Sequence, residues 1–340
     1  MDPLLPSNGK LIGRYSTVSV DRVDFDLATG RIRPARHPSL VPYQIPVAPT
    51  MNWDRVGVVT LHLRQDLWGM LRFLAPLAES WNDRSRVTLD LSACTFLNAE
   101  GAAILAAFAL HRQEWGGRTA IDWDTTSYEL RRQLGRWRVS GLFGQENFPW
   151  TDNAIPLLHQ RELDGEAVEE YIGTVIRAGD NMPAMTPVLV KETNRSLCEL
   201  FGNIFEHAES PCGGLAIGQY YPHVKQVQIC VCDLGLGLAE KVQRAGYAPE
   251  CCGSAIRWAL EEGNSTKSGL GGLGLFMLRE FVKVNGGSLR ILANTGYYAQ
   301  SGPNQTAQSL QASFPGTLIQ IGLLIRPDEV YTIEGDEDHS

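Results

Sequence analysis

Alternating strand-like and helix-like segments are the feature that most constrains how this chain can fold. From about residue 54 to 145, runs rich in Val, Thr and Leu, such as VGVVTLHL (56–63) and VTLDLS (87–92), alternate with apolar segments of helical period. Such alternation predicts a sheet with helices packed on it. We expect a third strand at 118–123 and helices at 68–81, 100–115 and 126–139.

The second half of the chain shows a similar mixture of elements. Pro, Asp and Asn punctuate FPWTDNAIP (148–156) and predict a domain boundary there. The stretch TGYYAQSGPNQTAQSLQASF (295–314) is polar and predicts a long mobile loop. We expect helices at 165–178, 186–208, 253–262 and 273–285, and strands at 155–163, 213–221, 225–233, 287–293 and 317–325. The predicted fold class is therefore mixed α/β (α+β).

Length and composition limit the domain organisation and the partners. A chain of 340 residues is long enough for roughly two domains with a core each. Residues 1–53 are proline-rich and predict an irregular arm with one hairpin, and the acidic tail 329–340 predicts disorder. A net charge of −8 weighs against nucleic acid as a partner, although RRQLGRWR (131–138) is locally basic.

The cysteines and the hydropathy indicate the compartment. The seven cysteines include no CxxC pair, which favours reduced thiols over a zinc site or a disulfide framework. No signal peptide opens the sequence, and no apolar run reaches the roughly 18 residues that a membrane span needs. We therefore expect a cytoplasmic protein without a membrane partner.

The stretch ELFGNIFEHA (199–208) spaces a carboxylate, an amide and an imidazole four residues apart. On a helix, Glu199, Asn203 and His207 share one face. A glutamate there can activate a nucleophile beside a phosphate, and an asparagine oxygen is a ligand that Mg²⁺ accepts. The alternatives are two solvent-facing side chains and a helix-end histidine that bonds the last carbonyl groups.

Two glycine-rich stretches follow in the second half. In VCDLGLGL (231–238) a strand ends on Asp233, which can accept a hydrogen bond from an exocyclic amine or can cap its own turn. In STKSGLGGLGLFML (265–278) glycines lead into an apolar helix, a combination that suits a triphosphate or forms a plain loop. The P-loop pattern GxxxxGK[ST] is absent. Finally, PGTLIQIGLLI (315–325) places Thr317 at the start of a strand.

Taken together, these stretches resemble the GHKL ATPases, which include gyrase, chaperone and mismatch-repair ATPases, histidine kinases and anti-sigma-factor serine kinases. The resemblance covers residues 165–326, within a predicted domain at 155–328. ELFGNIFEHA is similar to the asparagine box of this family, DLGLG to its DxGxG motif, and STKSGLGGLGL to its lid and second glycine box. The family fold implied is a Bergerat α/β sandwich with a mixed sheet.

The resemblance implies ATP and Mg²⁺ as cofactors and a role for each motif residue. Glu199 would act as the general base, and Asn203 would coordinate the metal. Asp233 would receive the adenine amine, with Thr317 nearby through water. The remaining nucleotide-binding candidates are His207, Gly235, Gly237, Lys267, Gly271, Gly272 and Gly274.

Residues 54–147 resemble a STAS domain, the anti-anti-sigma fold. The serine that this family phosphorylates falls at about Ala99, which has no hydroxyl group, so phosphorylation there is excluded. Glu100 is either an imitation of a fixed negative charge or an ordinary helix-starting glutamate. The resemblance implies a surface that docks a protein partner.

Three functions follow from these resemblances. The first is an ATP–Mg²⁺-dependent ATPase switch, in which a lid closes over ATP, in one version with formation of a homodimer. The second is a serine/threonine protein kinase of the anti-sigma-factor type that acts on a partner protein. The third is a scaffold that binds ATP without turnover.

Overall fold

The computed structural model describes most of the chain between residues 84 and 333, and a few shorter stretches before it. The described residues are 24–26, 31–33, 57–60, 74, 76–78, 80–82, 84–149, 153–176, 182–205, 209–247, 249–261, 264 and 273–333. Most of the predicted helix 68–81 and of the arm 1–53, and the tail beyond residue 333, therefore lie outside them. Within the arm, β1 (Asp24–Asp26) and β2 (Arg31–Arg33) pair antiparallel, as expected of a hairpin.

The part of the chain before the predicted boundary at 148–156 is called the first segment, and the part after it the second segment. The first segment forms a parallel sheet with helices, as the alternation of strand-like and helix-like runs predicts. Its strands are β3 (Gly57–Thr60), β4 (Arg86–Asp90) and β5 (Arg118–Ile121), with both pairings parallel. Its helices are α1 (Ala99–Glu114) and α2 (Tyr128–Arg136). Polar side chains define both helix starts, since Asn98 accepts from the amide of Gly101 and Ser127 from that of Leu130.

The second segment is built on a larger sheet. Its strands run in the order β10-β11-β9-β8-β6, and every pairing is antiparallel. The prediction of a mixed sheet is therefore wrong, because no two neighbouring strands of this sheet run parallel. The bounds are β6 (Ala154–Gln160), β8 (Gly214–Tyr221), β9 (Gln226–Asp233), β10 (Ser288–Ser301) and β11 (Asn304–Leu324).

The remaining elements complete the second segment. A short parallel pair joins β7 (Ala184–Met185) to β12 (Val330–Tyr331). The predicted helices are observed, with one further helix, α5, that the sequence analysis missed. The bounds are α3 (Gly165–Ile176), α4 (Pro187–Phe205), α5 (Leu238–Arg244), α6 (Cys252–Ala259) and α7 (Leu273–Asn285).

Helices cover both faces of the five-stranded sheet. Every residue of β9 is buried, and its side chains alternate between two apolar clusters. Cys230 and Cys232 belong to the cluster that contains α1, whereas Ile229 and Val231 belong to the cluster that contains α4 and α7. This alternation is the period of two that a β-strand imposes. The sheet is thus the middle of three layers.

Helix α1 forms the outer layer on one face. Every residue from Ala99 to Ala109 is buried, and the helix packs on β8 and β9. A helix that is apolar all round is buried on all sides, and alanine lets its neighbours approach closely. The indole nitrogen of Trp137, just after α2, also donates to the carbonyl of Gly218 at 2.8 Å. The first and second segments therefore share one core.

Strands β10 and β11 extend well beyond the sheet as a hairpin. Pairing continues to Ser301 opposite Asn304, so the prediction of a mobile loop at 295–314 is wrong. Tyr297 and Tyr298 are both buried, one in each apolar cluster, and α6 packs against the hairpin. These contacts come from distant parts of the chain, which is why a polar local composition concealed the two strands.

Two chemical features complete the description. All seven cysteines are free thiols. Among the helices that the structure describes, none combines the length and the apolar character needed to cross a membrane.

Candidate functional site

Asp233 ends the central strand β9 in a buried position. Its side chain is 1% exposed and lies between Gly214 of β8 and Thr317 of β11 in the strand register. Its Oδ1 accepts from the amides of Gly235 at 2.9 Å and of Thr317 at 3.3 Å. Burial raises the pKa of Asp233 to about 6, although Lys241 and the bonds from Gly235 and Thr317 oppose this rise.

These contacts bring three of the predicted nucleotide residues together. Gly235 and Thr317 are far apart in the sequence, and both donate to the same carboxylate. The Asp233–Gly235 bond is also the turn cap that the sequence analysis gave as the alternative role. The two roles are compatible, because a carboxylate has about four acceptor sites.

Thr317 has a second contact that the sequence did not indicate. Its hydroxyl oxygen accepts from the amide of Leu238 at 2.9 Å, at the first residue of α5. This bond satisfies one of the free amides at the helix start. Thr317 therefore fixes the loop after Asp233 to the neighbouring strand.

Gly237 sits where that loop turns into α5. Its φ is 80°, a left-handed conformation that favours glycine. A Cβ at this position would lie 2.4 Å from Oδ1 of Asn294 and 2.7 Å from the carbonyl oxygen of Gly316. A larger residue at this position would therefore collide with Asn294 and with the backbone of Gly316.

Asn294 is a residue that the sequence analysis missed. Its Nδ2 donates to the carbonyl of Leu236 at 3.0 Å, and its Oδ1 accepts from the amide of Glu240 at 3.3 Å. It adopts a φ of 55° at a register shift between β10 and β11. An asparagine next to Thr-Gly was the available signal, since asparagine tolerates this conformation, but the pairing across strands was not visible.

Glu199 and Gly274 form the second group of predicted residues. Helices α4 and α7 pack side by side, and Oε2 of Glu199 accepts from the amide of Gly274 at 3.0 Å. This amide lies in the first turn of α7, where the helix dipole favours an anion. A Cβ on Gly274 would lie 2.8 Å from the same oxygen, so the close approach depends on glycine.

Asn203 lies one helical turn after Glu199, and its side chain is half-buried. Since α4 also packs against β9, the helix spans the distance between the Glu199–Gly274 group and the strand that ends on Asp233. His207, Lys267, Gly271 and Gly272 lie outside the described residues.

The side chains available as metal ligands can be compared with the needs of the expected Mg²⁺ ion. In the part of the chain that the structure describes, no cluster of three or more His, Cys, Asp and Glu side chains could hold a metal. The half-buried amide of Asn203 is a single neutral oxygen ligand. Such a site fits Mg²⁺ that arrives with phosphate oxygens and keeps several waters, which is how this ion usually binds.

The arrangement offers a buried acceptor at a strand end, a glycine turn beside it and a helix start that attracts anions. No protein-family model matches this chain, and no curated protein matches it either.

Proposed function

We propose that this chain binds ATP–Mg²⁺ and works as a GHKL-type ATPase switch. The nucleotide would lie between α4, the end of β9 and the start of α7. Glu199 is the general base in this proposal, and Asn203 is the metal ligand. The first segment is a STAS-like docking surface for a protein partner.

Asp233 is the observation that carries the proposal. A carboxylate that is 1% exposed is costly to bury, and its raised pKa expresses that cost. Groups with strongly shifted pKa values concentrate at functional sites. The Asp233 carboxylate is a hydrogen-bond acceptor at a strand end beside a glycine turn, which suits the amine of adenine.

The other side chains take the roles that the resemblance implies. Mg²⁺ supplies charge neutralisation on the phosphates when it is bound. Asn203 would hold and orient it, and the amide of Gly274 would donate to a phosphate oxygen. Lys267, Gly271 and Gly272 are assigned to the phosphates and the lid by the resemblance alone. His207 remains a nucleotide-binding candidate without a more specific role.

One observation favours a second candidate, a scaffold that binds ATP without turnover. The carboxylate of Glu199 is bonded to the amide of Gly274, so the proposed base occupies the proposed phosphate position. An ATPase must release this bond for Glu199 to reach a water molecule. A scaffold can keep it and use nucleotide binding only for stability.

Thermal unfolding with ligands tests the nucleotide site. ATP–Mg²⁺, ADP and GTP are added to the native protein and to Asp233→Asn, which can still accept the amides of Gly235 and Thr317. A ligand at 100 times its Kd stabilises by about 2.7 kcal/mol. We expect this stabilisation with ATP, less with GTP, and a large loss in Asp233→Asn.

Asp90→Asn is the matched control, because Asp90 also ends a strand and accepts the amide two residues later, at 2.8 Å from Ser92. ATP should stabilise this variant as it does the native protein. The proposal would be overturned if no nucleotide stabilised the native protein against thermal unfolding. It would also be overturned if ATP stabilised Asp233→Asn and Asp90→Asn equally.

Labelled ATP then separates the three functions. Labelled phosphate in solution indicates the ATPase, a labelled partner protein indicates the kinase, and binding without either indicates the scaffold. Glu199→Gln should abolish phosphate release, whereas Glu192→Gln, on the same helix, should not. Equal rates in both variants would remove Glu199 from the chemistry.

A further inference from the structure

The outward side of α2 combines positive charge with an aromatic ring. Tyr128, Arg132 and Arg136 follow one another at intervals of four residues, which places them along one side of the helix. Tyr128 is 61% exposed, Arg132 is exposed and Arg136 is half-buried. Tyrosine and arginine are enriched in protein interfaces. These three residues are called the cationic face.

The two arginines of the cationic face repel each other. They are four residues apart, a spacing at which like charges destabilise a helix. Burial and the charge of Arg132 lower the pKa of Arg136, although Tyr128 opposes this effect. Among the described residues, no ion pair joins Arg132 or Arg136 to a carboxylate. An acidic partner would therefore remove an unfavourable interaction as well as add favourable ones.

Helix α3 carries the opposite charge at a similar spacing. Glu166, Glu169 and Glu170 are all exposed, and intervals of three and four residues place them on one side of the helix. They are called the acidic face. In the part of the chain that the structure describes, no ion pair joins Glu166 or Glu169 to a cation. The two faces are thus complementary in charge.

The two faces of one chain lie on opposite sides of the large sheet. Leu130 and Leu134, on the inner side of α2, belong to the apolar cluster that contains α1. Val168 and Ile172, on the inner side of α3, belong to the cluster that contains α4 and α7. Because the sheet separates these clusters, the cationic face cannot meet the acidic face of the same copy. It can meet that of another copy.

We propose that the cationic face of α2 docks on the acidic face of α3 in a second copy of this chain. The contact is heterologous, so each copy can offer α2 to one neighbour and α3 to another. Because the groups that pair are exposed, the association is weak and depends on salt. The contact uses no residue of the proposed ATP site and does not depend on it.

Sedimentation velocity of the native protein tests the association. It is measured at protein concentrations up to about 1 mM, which covers Kd values between the micromolar and millimolar ranges. The salt concentration is about 0.1 M or about 1 M, between which the screening length falls from about 10 Å to about 3 Å. We expect association with a Kd of about 100 μM at the lower salt and a Kd at least about tenfold higher at the higher salt.

Two double variants locate the contact. Arg132→Gln with Arg136→Gln neutralises the cationic face, and Glu166→Gln with Glu169→Gln neutralises most of the acidic face. Each variant alone should associate about tenfold more weakly than the native protein. An equimolar mixture should regain the native affinity, because the first variant keeps its acidic face and the second keeps its cationic face. The mixture should stop at pairs, since every pair leaves two neutralised faces outside.

Arg118→Gln with Arg195→Gln is the matched control, because it removes two exposed positive charges elsewhere and should associate as the native protein does. The inference is overturned if the native protein stays monomeric at about 1 mM and the lower salt. It is also overturned if the control weakens association as much as the α2 variant, which would make net charge the cause. A mixture of the two double variants that associates no better than either alone would overturn it as well.

Discussion

Nη1 of Arg290, on the edge strand β10, lies 2.7 Å from Oε2 of Glu100, in the first turn of α1. The pair joins the two segments of the chain, and the Glu100 side chain is only 3% exposed. Glu100 is therefore not a fixed negative charge presented to a partner, which was one of its two expected roles. A partner that docks on the first segment has to use a surface other than this end of α1.

Removing one member of this pair should be costly. Glu100→Gln leaves Arg290 charged and without its partner, and breaking a buried ion pair in this way costs roughly 3–5 kcal/mol. The free energy of unfolding in urea measures the loss. The double variant Glu100→Gln, Arg290→Met should recover most of it, because both charges are then absent.

A control is available on the same helix. Glu114 pairs with Arg161 at 2.8 Å, but the Arg161 side chain is 60% exposed. Glu114→Gln should cost less than about 1 kcal/mol, because exposed pairs are weak. If the two single variants cost the same, burial does not decide the strength of the Glu100–Arg290 pair.

The pKa of Asp233 predicts how stability depends on pH. The folded value of about 6 lies above the ordinary 3.8, so the folded protein binds more protons than the unfolded chain between these values. The contribution of Asp233 to stability therefore falls as the pH rises from about 4 to 6, by an amount on the order of 2–3 kcal/mol.

Asp233→Asn should remove this dependence. Urea unfolding from pH 4 to 7 should show the variant equal to the native protein near pH 4 and more stable near pH 7. An Asp233→Asn curve parallel to the native one would show that the carboxylate is not held at a raised pKa.

Glu199 and the proposed phosphates compete for the same amide. Glu199→Gln replaces a charged acceptor of the Gly274 amide with a neutral one and removes its repulsion of phosphate. ATP affinity should rise about fivefold while phosphate release is lost. Calorimetric titration with ATP–Mg²⁺ measures the affinity, and Glu192→Gln serves as the control. Weaker ATP binding in Glu199→Gln would show that Glu199 does not block the phosphate position.

Local patterns were sufficient to predict most elements of the fold. The run VTLDLS, rich in Val, Thr and Leu, predicted β4, and the strand expected at 225–233 is β9. The alanine-rich stretch EGAAILAAFALHRQEW predicted α1. These elements carry their signal within a few residues. The antiparallel order of the large sheet has no such local signal, because it depends on which distant strands pair with one another.

Contacts between distant residues account for what the sequence did not predict. The hairpin beyond Asn294 is polar along much of its length, and it is fixed by Tyr297, Tyr298 and α6. The packing of α1 on the sheet, the ion pair of Glu100 and the two bonds of Asn294 also join distant parts of the chain. At the candidate site, the sequence predicted Asp233 and Thr317 but not the residue that holds their loop.

The conformation of that loop provides the last prediction. Gly237→Ala forces an L-residue into a φ of 80° and places its Cβ against Asn294 and the Gly316 carbonyl. The left-handed conformation alone costs roughly 1–2 kcal/mol, and the contact adds to it. Gly246→Ala is the matched control, since Gly246 has a φ of 90° but nothing within 4 Å of the added Cβ. Gly237→Ala should therefore be the less stable variant in urea and should weaken ATP binding, whereas Gly246→Ala should lose stability only. Equal stability of the two would mean that Asn294 moves aside freely and does not hold the loop.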